Sequence, residues 1–167
     1  MTPGIDYNTY YEMYISLTGD NPVANQLQEG LSATTSFFEG IPFDKHEYQY
    51  EEGKWSPKEV LLHIIDTERV FAYRALQFAR AENVVIKGFD QDEFANNARP
   101  VTRSMQELLE EYTAVRQSTI AMAKSFSENT LARRGEASNS PLSVMAALRI
   151  ICGHEKHHAK IIKERYL

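Results

Sequence analysis

The sequence lacks the features that mark secreted and membrane-spanning proteins. Of its 167 residues only Cys152 is a cysteine, so an internal disulfide is excluded and a reducing compartment is the simplest expectation. No apolar run approaches the roughly 18 residues that span a bilayer. The amino terminus also lacks the basic and apolar regions of a signal peptide. We therefore expect a soluble, cytoplasmic protein.

Positive charge is scarce as well. The chain has 18 lysines and arginines against 23 aspartates and glutamates, which gives a net charge of -5. Because nucleic acids and anionic membranes are bound by basic surfaces, we expect neither as a partner. The length suits one domain with a sizeable core, and we predict a single domain over residues 1–167.

Helical periodicity of apolar residues is the strongest pattern in the chain. It predicts four helices, with approximate limits at 22–40, 56–81, 104–126 and 141–167. The second and third have the clearest starts, because Ser56 and Ser104 each precede a glutamate by three residues and so form a capping box. The aromatic segment at residues 7–17 is either a further turn or two of helix or an irregular arm.

Strand signals are weak, and we predict no sheet. The stretch Val84-Val85-Ile86 is too short and too isolated to start one. About twenty residues, Asn83 to Arg103, connect helices two and three, with a short helix predicted over residues 92–97. This length permits a crossover, so we expect helices two and three to run parallel. The predicted fold class is all-α, a four-helix bundle.

Three histidines are the candidates for chemistry. His154 and His158 lie one turn apart on one face of helix four, and His63 lies in helix two. By helical rise, His63 is roughly 10 Å from the start of its helix, while His158 and His154 are roughly 12 and 18 Å from the end of theirs. The three meet if these helices are antiparallel. We predict a site for a divalent metal ion, the alternative being ordinary hydrogen-bonded core histidines.

The same segment matches the H-E-x-x-H pattern of zinc metalloproteases, with Glu155 in the position of the general base. Those enzymes usually take a third ligand from downstream, but the nine residues after His158 include no histidine, aspartate or cysteine. They also hold their substrate against a strand. We therefore disfavour proteolysis and interpret Glu155 as a polar residue on the helix flank. A di-iron site would need a second E-x-x-H motif.

Further residues resemble a known family. The segment Trp55-Ser56-Pro57-Lys58-Glu59-Val60 followed by His63, together with Gly153-His154 and His157-His158, resembles the DinB-like superfamily of DinB and YfiT-like metalloenzymes. The resemblance covers almost the whole chain. It implies an up-down-down-up bundle with a long crossover between helices two and three, often dimeric, that holds a divalent metal through three histidines. Carried onto this sequence, those ligands are His63, His154 and His158, and we expect a homodimer.

A site of three neutral imidazoles leaves a coordination position open, which is typical of catalytic rather than structural metals. Zinc or nickel is the first expectation, and iron or manganese would also fit. Such an ion generates a nucleophile from water or from a thiol. We predict a metal-dependent hydrolase or thiol S-transferase acting on a small molecule. The resemblance supports the second activity, because the superfamily includes bacillithiol and mycothiol transferases and a mycothiol-dependent isomerase.

The remaining functional residues are less sharply indicated. The thiol would come from a low-molecular-weight cosubstrate, because Cys152 is interpreted as a core residue. Four residues of helix two are candidate substrate contacts: Asp66, Arg69, Tyr73 and Arg74. Trp55 is interpreted as a hydrophobic staple. No catalytic base is assigned. The alternative function is a non-catalytic, stress-related bundle that binds a metal or a ligand.

Overall fold

The computed structural model describes residues 1–98 and 102–167, and it has long helices at the four predicted positions. In chain order the helices are α1 (Glu12–Ile15), α2 (Val23–Glu39), α3 (Pro57–Arg80), α4 (Gln91–Ala98), α5 (Met105–Lys124), α6 (Glu128–Leu131) and α7 (Val144–Arg165). The strands are β1 (Val85–Ile86), β2 (Arg134–Ala137) and β3 (Ser140–Ser143). The predicted all-α four-helix bundle and the short helix in the crossover are confirmed. Residues 99–101 of that crossover lie outside the described residues.

The starts of α3 and α5 are fixed by the two predicted capping boxes. The Ser56 amide donates to Glu59 at 2.7 Å, and the Glu59 amide donates back to the Ser56 hydroxyl at 3.4 Å. Ser104 and Glu107 make the same pair at 2.7 and 3.2 Å. Each box satisfies backbone donors that have no partner within the helix. The depth of every side chain in α3, including His63, is set from this start.

The prediction of no sheet is wrong. Strand β1 pairs parallel with β2, which pairs antiparallel with β3. Ser138 and Asn139 form the β2–β3 turn with φ of 53° and 58°, the left-handed pair typical of a type I′ hairpin. Helix four correspondingly starts later than predicted, because Ser140 and Pro141 belong to β3 and Ser143 caps α7.

The apolar core has two parts. One contains the second halves of α3 and α5 with the first halves of α2 and α7, including Phe78, Ile120 and Leu148. The other contains the first halves of α3 and α5 with the ends of α2 and α7, including Leu61 and Leu108. Each of the four long helices therefore contributes to both parts of the core.

An amino-terminal arm crosses the bundle before α2. It consists of a 3-10 turn, Thr9–Tyr11, and α1, so the aromatic segment at residues 7–17 is partly helical. Gly153 of α7 lets the arm approach, since a Cβ there would lie 2.0 Å from the Tyr14 carbonyl oxygen. The arm therefore packs against α7 at the residue that precedes His154. Within the described residues, none of the helices has the length and apolar character needed to cross a membrane.

Candidate metal centre

The structure brings together the three histidines singled out from the sequence. The Nε2 atom of His154 lies 3.0 Å from that of His63 and 3.0 Å from that of His158. Their possible ligand atoms all lie within 4.8 Å of one another. Donor nitrogens that share one ion at ~2.0–2.1 Å are about 3 Å apart, so two of the three pairs have this spacing, and the three side chains together could hold a metal ion.

Burial keeps the three imidazoles neutral. It lowers the pKa of His63 to about 4 and, together with the neighbouring His63 and His157, lowers the pKa of His158 to about 3. The pKa of His154, which is also buried, falls well below its ordinary value for the same reason. Because metals bind the neutral imidazole, the lone pairs are available at neutral pH without displacing protons.

Two aromatic rings form walls around the histidines. The Trp55 ring lies 4.7 Å from the His63 ring, and the Tyr14 ring lies 5.2 Å from the His154 ring, centroid to centroid. Trp55 was predicted only as a hydrophobic staple, and it does pack against the core. The same side chain also restricts the orientation of His63, so the capping segment positions the candidate site directly.

Each histidine lines a different cavity. A cavity of about 10 Å³ reaches His63, one of about 190 Å³ reaches His154 and one of about 260 Å³ reaches His158. Residues of the crossover contribute to all three, with Phe89 in the first two and Asp92 in the third. A small molecule can therefore approach the imidazole cluster from more than one side.

The four predicted substrate contacts are separated by the structure. Asp66 lines the His63 cavity, where burial raises the pKa of its carboxyl, and Arg74 lines the His154 cavity. Arg69 forms ion pairs with Asp66 at 3.3 Å and with Glu111 at 2.6 Å. Tyr73 is 54% exposed. Neither Arg69 nor Tyr73 lines the three cavities just described.

Glu155, the neighbour of His154, faces a separate buried cluster. Its carboxylate accepts hydrogen bonds from Tyr112 at 2.7 Å, Arg116 at 2.7 Å and Thr34 at 3.1 Å. Its interpretation as a flank residue is wrong, because it is only 1% exposed. With its oxygens held by these donors, Glu155 is not placed to act as a base at the histidines. This is a stronger argument against the protease pattern than the expected absence of a sheet.

Cys152 does not take part in the candidate site. The side chain is completely buried, and burial raises the pKa of its thiol to about 12. Reactive cysteines are partly exposed and have lowered pKa values, so Cys152 has the character of a core residue.

Solved structures with this fold are known. YfiT from Bacillus subtilis, described as a probable metal-dependent hydrolase with an unusual four-helix bundle topology, superposes with a TM-score of 0.77 at 16% identity, over 98% of this chain and 90% of YfiT. The DinB-like protein YjoA from Bacillus subtilis gives 0.60 at 20% identity, over 86% of this chain and 88% of YjoA. The mycothiol-dependent maleylpyruvate isomerase gives 0.61 at 11% identity, over 87% of this chain and 61% of the isomerase. At these identities the likeness shows the fold.

Sequence comparison supplies the family. No curated protein sequence matches the chain. The family model of the DinB superfamily, however, matches residues 26–162, a stretch that includes all three clustered histidines. Since the match covers most of the chain, the protein belongs to the DinB superfamily.

Proposed function

We propose that this protein is a metal-dependent enzyme that acts on a small molecule, as a hydrolase or a thiol S-transferase. The observation that carries the proposal is the cluster of three neutral imidazoles, with Nε2 atoms 3.0 Å from the central His154, beside cavities that admit a small molecule. The likeness to YfiT supports the hydrolase activity, and the likeness to the mycothiol-dependent isomerase supports use of a thiol.

His63, His154 and His158 are the proposed ligands, and zinc or nickel is the metal we propose first, with iron or manganese next. Bound there, the ion would supply Lewis-acid chemistry, polarising a carbonyl or favouring a thiolate at neutral pH. The protein contributes a fixed arrangement of neutral donors, held by the α3 capping box and packed by Trp55 and Tyr14. A low-molecular-weight thiol would have to be a cosubstrate, because Cys152 is buried.

Metal content tests the ligand assignment directly. The untagged protein, purified without chelator, is expected to contain close to one metal ion per chain by mass spectrometry. His63→Ala and His158→Ala should lose it. His157→Ala is the matched control, because His157 neighbours His158 but lies outside the three-histidine cluster. Failure of the wild type to retain metal, and to bind zinc or nickel on titration, would contradict the proposal.

A turnover screen separates the enzyme from a non-catalytic binding protein. The metal-loaded protein is expected either to conjugate monochlorobimane with a low-molecular-weight thiol or to hydrolyse a small ester. Metal-free protein and His158→Ala are the blanks. Saturable ligand binding without any product above these blanks would favour the alternative, a metal- or ligand-binding bundle. We also propose a homodimer, and a monomer mass by light scattering would overturn it.

A further inference from the structure

The cavity beside His154 has the walls of a small binding site. Aromatic rings from the amino-terminal arm, α3 and the crossover form most of its surface: Tyr10, Tyr11, Tyr14, Phe71 and Phe89. Its volume of about 190 Å³ is smaller than the ~300 Å³ at the low end of drug-sized pockets. A ligand for it is therefore small and partly apolar.

One arginine gives this cavity its charge. Arg74 lines it, yet the side chain is only 1% exposed. Its Nη2 donates to the Ser138 hydroxyl at 3.0 Å, and its guanidinium lies 4.7 Å from the Phe71 ring centroid and 5.7 Å from that of Phe89. Within the described part of the chain, no carboxylate pairs with it and its Nε has no hydrogen-bond partner.

An unpaired buried arginine is unusual. Buried charges are normally paired, because taking an ion out of water without a counter-ion is costly. The other arginine that is fully buried among the described residues, Arg116, follows this rule, with Glu68 and Glu155 both bonded to it. Arg74 is thus the exception, and it is found at a cavity rather than in the packed core.

A second donor lies on the same face of α3. Thr67 also lines the cavity, and its buried hydroxyl has no partner among the described residues. His63, Thr67, Phe71 and Arg74 follow one another at helical spacing, so they lie on one face of α3, with the Cα atoms of His63 and Arg74 about 16 Å apart along the axis. Glutamate and aspartate are absent from the described residues that line the cavity.

We infer that this cavity binds a small organic carboxylate, whose carboxylate group pairs with Arg74. The hydroxyls of Thr67 and Ser138 are further donors, and the apolar part of the ligand packs among the aromatic rings towards His154. The inference rests on the proposed function in one respect, because it makes this ligand the substrate or a substrate fragment at the metal centre. Binding of the carboxylate itself does not require the metal.

Benzoate is the probe, and benzamide is its uncharged counterpart of nearly the same shape. Affinities are measured by calorimetry or NMR titration on metal-free protein. We expect benzoate to bind the wild type at least about tenfold more tightly than benzamide, since pairing with a buried charge exceeds the ~1.4 kcal/mol of a tenfold difference. Arg74→Met should abolish this preference, and Thr67→Val should weaken benzoate binding by less.

Arg80→Met is the matched control, because Arg80 is an exposed arginine at the end of the same helix. It should leave both affinities unchanged. Should Arg74→Met fail to fold, Arg74→Lys and Thr67→Val still report on the site through the benzoate to benzamide ratio. Equal affinities in the wild type, no benzoate binding, or benzoate binding unchanged in the Arg74 variants would each overturn the inference.

The metal site and the anion site are separated by His158→Ala. This variant is expected to lose metal but to keep benzoate binding, whereas Arg74→Met should lose benzoate binding and keep the metal. If benzoate binds a wild type that takes up no metal, the proposed function fails and the inference stands. If metal binds and benzoate does not, the inference fails and the metal assignment stands.

Discussion

Two polar clusters lie side by side in this bundle and differ in how completely they are satisfied. In the first, the Arg116 guanidinium donates to Glu68, to Glu155 and to the Leu27 carbonyl oxygen. The Tyr112 hydroxyl donates a further hydrogen bond to the Glu155 carboxylate. In the second, the Nε2 atoms of His63, His154 and His158 have only one another as hydrogen-bond partners among the described residues.

The two clusters begin at adjacent residues of α7. Because successive side chains on a helix point about 100° apart, His154 and Glu155 enter different surroundings. The Glu155 side chain packs against α2 and α5 in the core. Glycine is required at position 30 of α2, since a Cβ there would lie 2.0 Å from a Glu155 carboxylate oxygen. His154 meets α3 beside a cavity. A complete charge network holds helices together, whereas the three clustered histidines beside a cavity are the ligands that we propose for a metal ion.

The largest expected effect comes from breaking the charge network. Arg116→Met leaves two carboxylates buried without their cation, and removing one partner from a buried ion pair costs about 3–5 kcal/mol. Burial disfavours the charge of Arg116, but the carboxylates of Glu155 and Glu68 outweigh it and raise its pKa well above the ordinary value. Urea unfolding should show the loss.

The control for this variant is Arg80→Met, at an exposed arginine, which should change the free energy of unfolding by less than about 0.5 kcal/mol. A loss of under about 1 kcal/mol in Arg116→Met would mean that Glu68 and Glu155 find other partners. The network would then not be the main polar support of the bundle.

A smaller effect is expected where the arm meets the histidine cluster. In Gly153→Ala the new Cβ would lie 2.0 Å from the Tyr14 carbonyl oxygen, so α1 must move away from α7. Overpacking of this kind costs about 1–3 kcal/mol. Gly19→Ala is the matched control, because nothing lies within 4 Å of a Cβ at that position. Equal free energies of unfolding for the two variants would show that the arm moves away from α7 without loss of stability.

The histidine cluster could be predicted from the sequence because two local rules determine it. A capping box fixes the start of α3 and hence the depth of His63, and spacing by four places His154 and His158 on one face. The separation of His154 from Glu155 could not be predicted in the same way. Periodicity marks a residue as core or surface, but it does not tell a buried carboxylate with partners from one on a flank.

The residues that line the cavity beside His154 could not be predicted from the sequence, for a different reason. Ser138 reaches Arg74 through a hairpin turn whose left-handed residues are serine and asparagine rather than glycine, so the usual turn signal is missing. Strand β1 has two residues, and its partner lies about fifty positions later. Parallel pairing of such a short segment depends on tertiary packing, which a local sequence pattern does not predict.

The last prediction separates the two clusters by their dependence on pH. In metal-free protein, burial lowers the pKa of His63 to about 4 and of His158 to about 3, whereas unfolded histidine titrates near 6.5. Between these values the unfolded chain binds protons that the native state does not. The free energy of unfolding therefore has its full value above about pH 6.5. It falls as the pH decreases, by up to about 1.4 kcal/mol per pH unit for each such histidine. Urea unfolding between pH 7.5 and 4.5 should show a shallower slope for His63→Leu than for wild type. Identical slopes would mean that folding does not lower the pKa of His63, so burial would not keep this imidazole neutral below about pH 6.5.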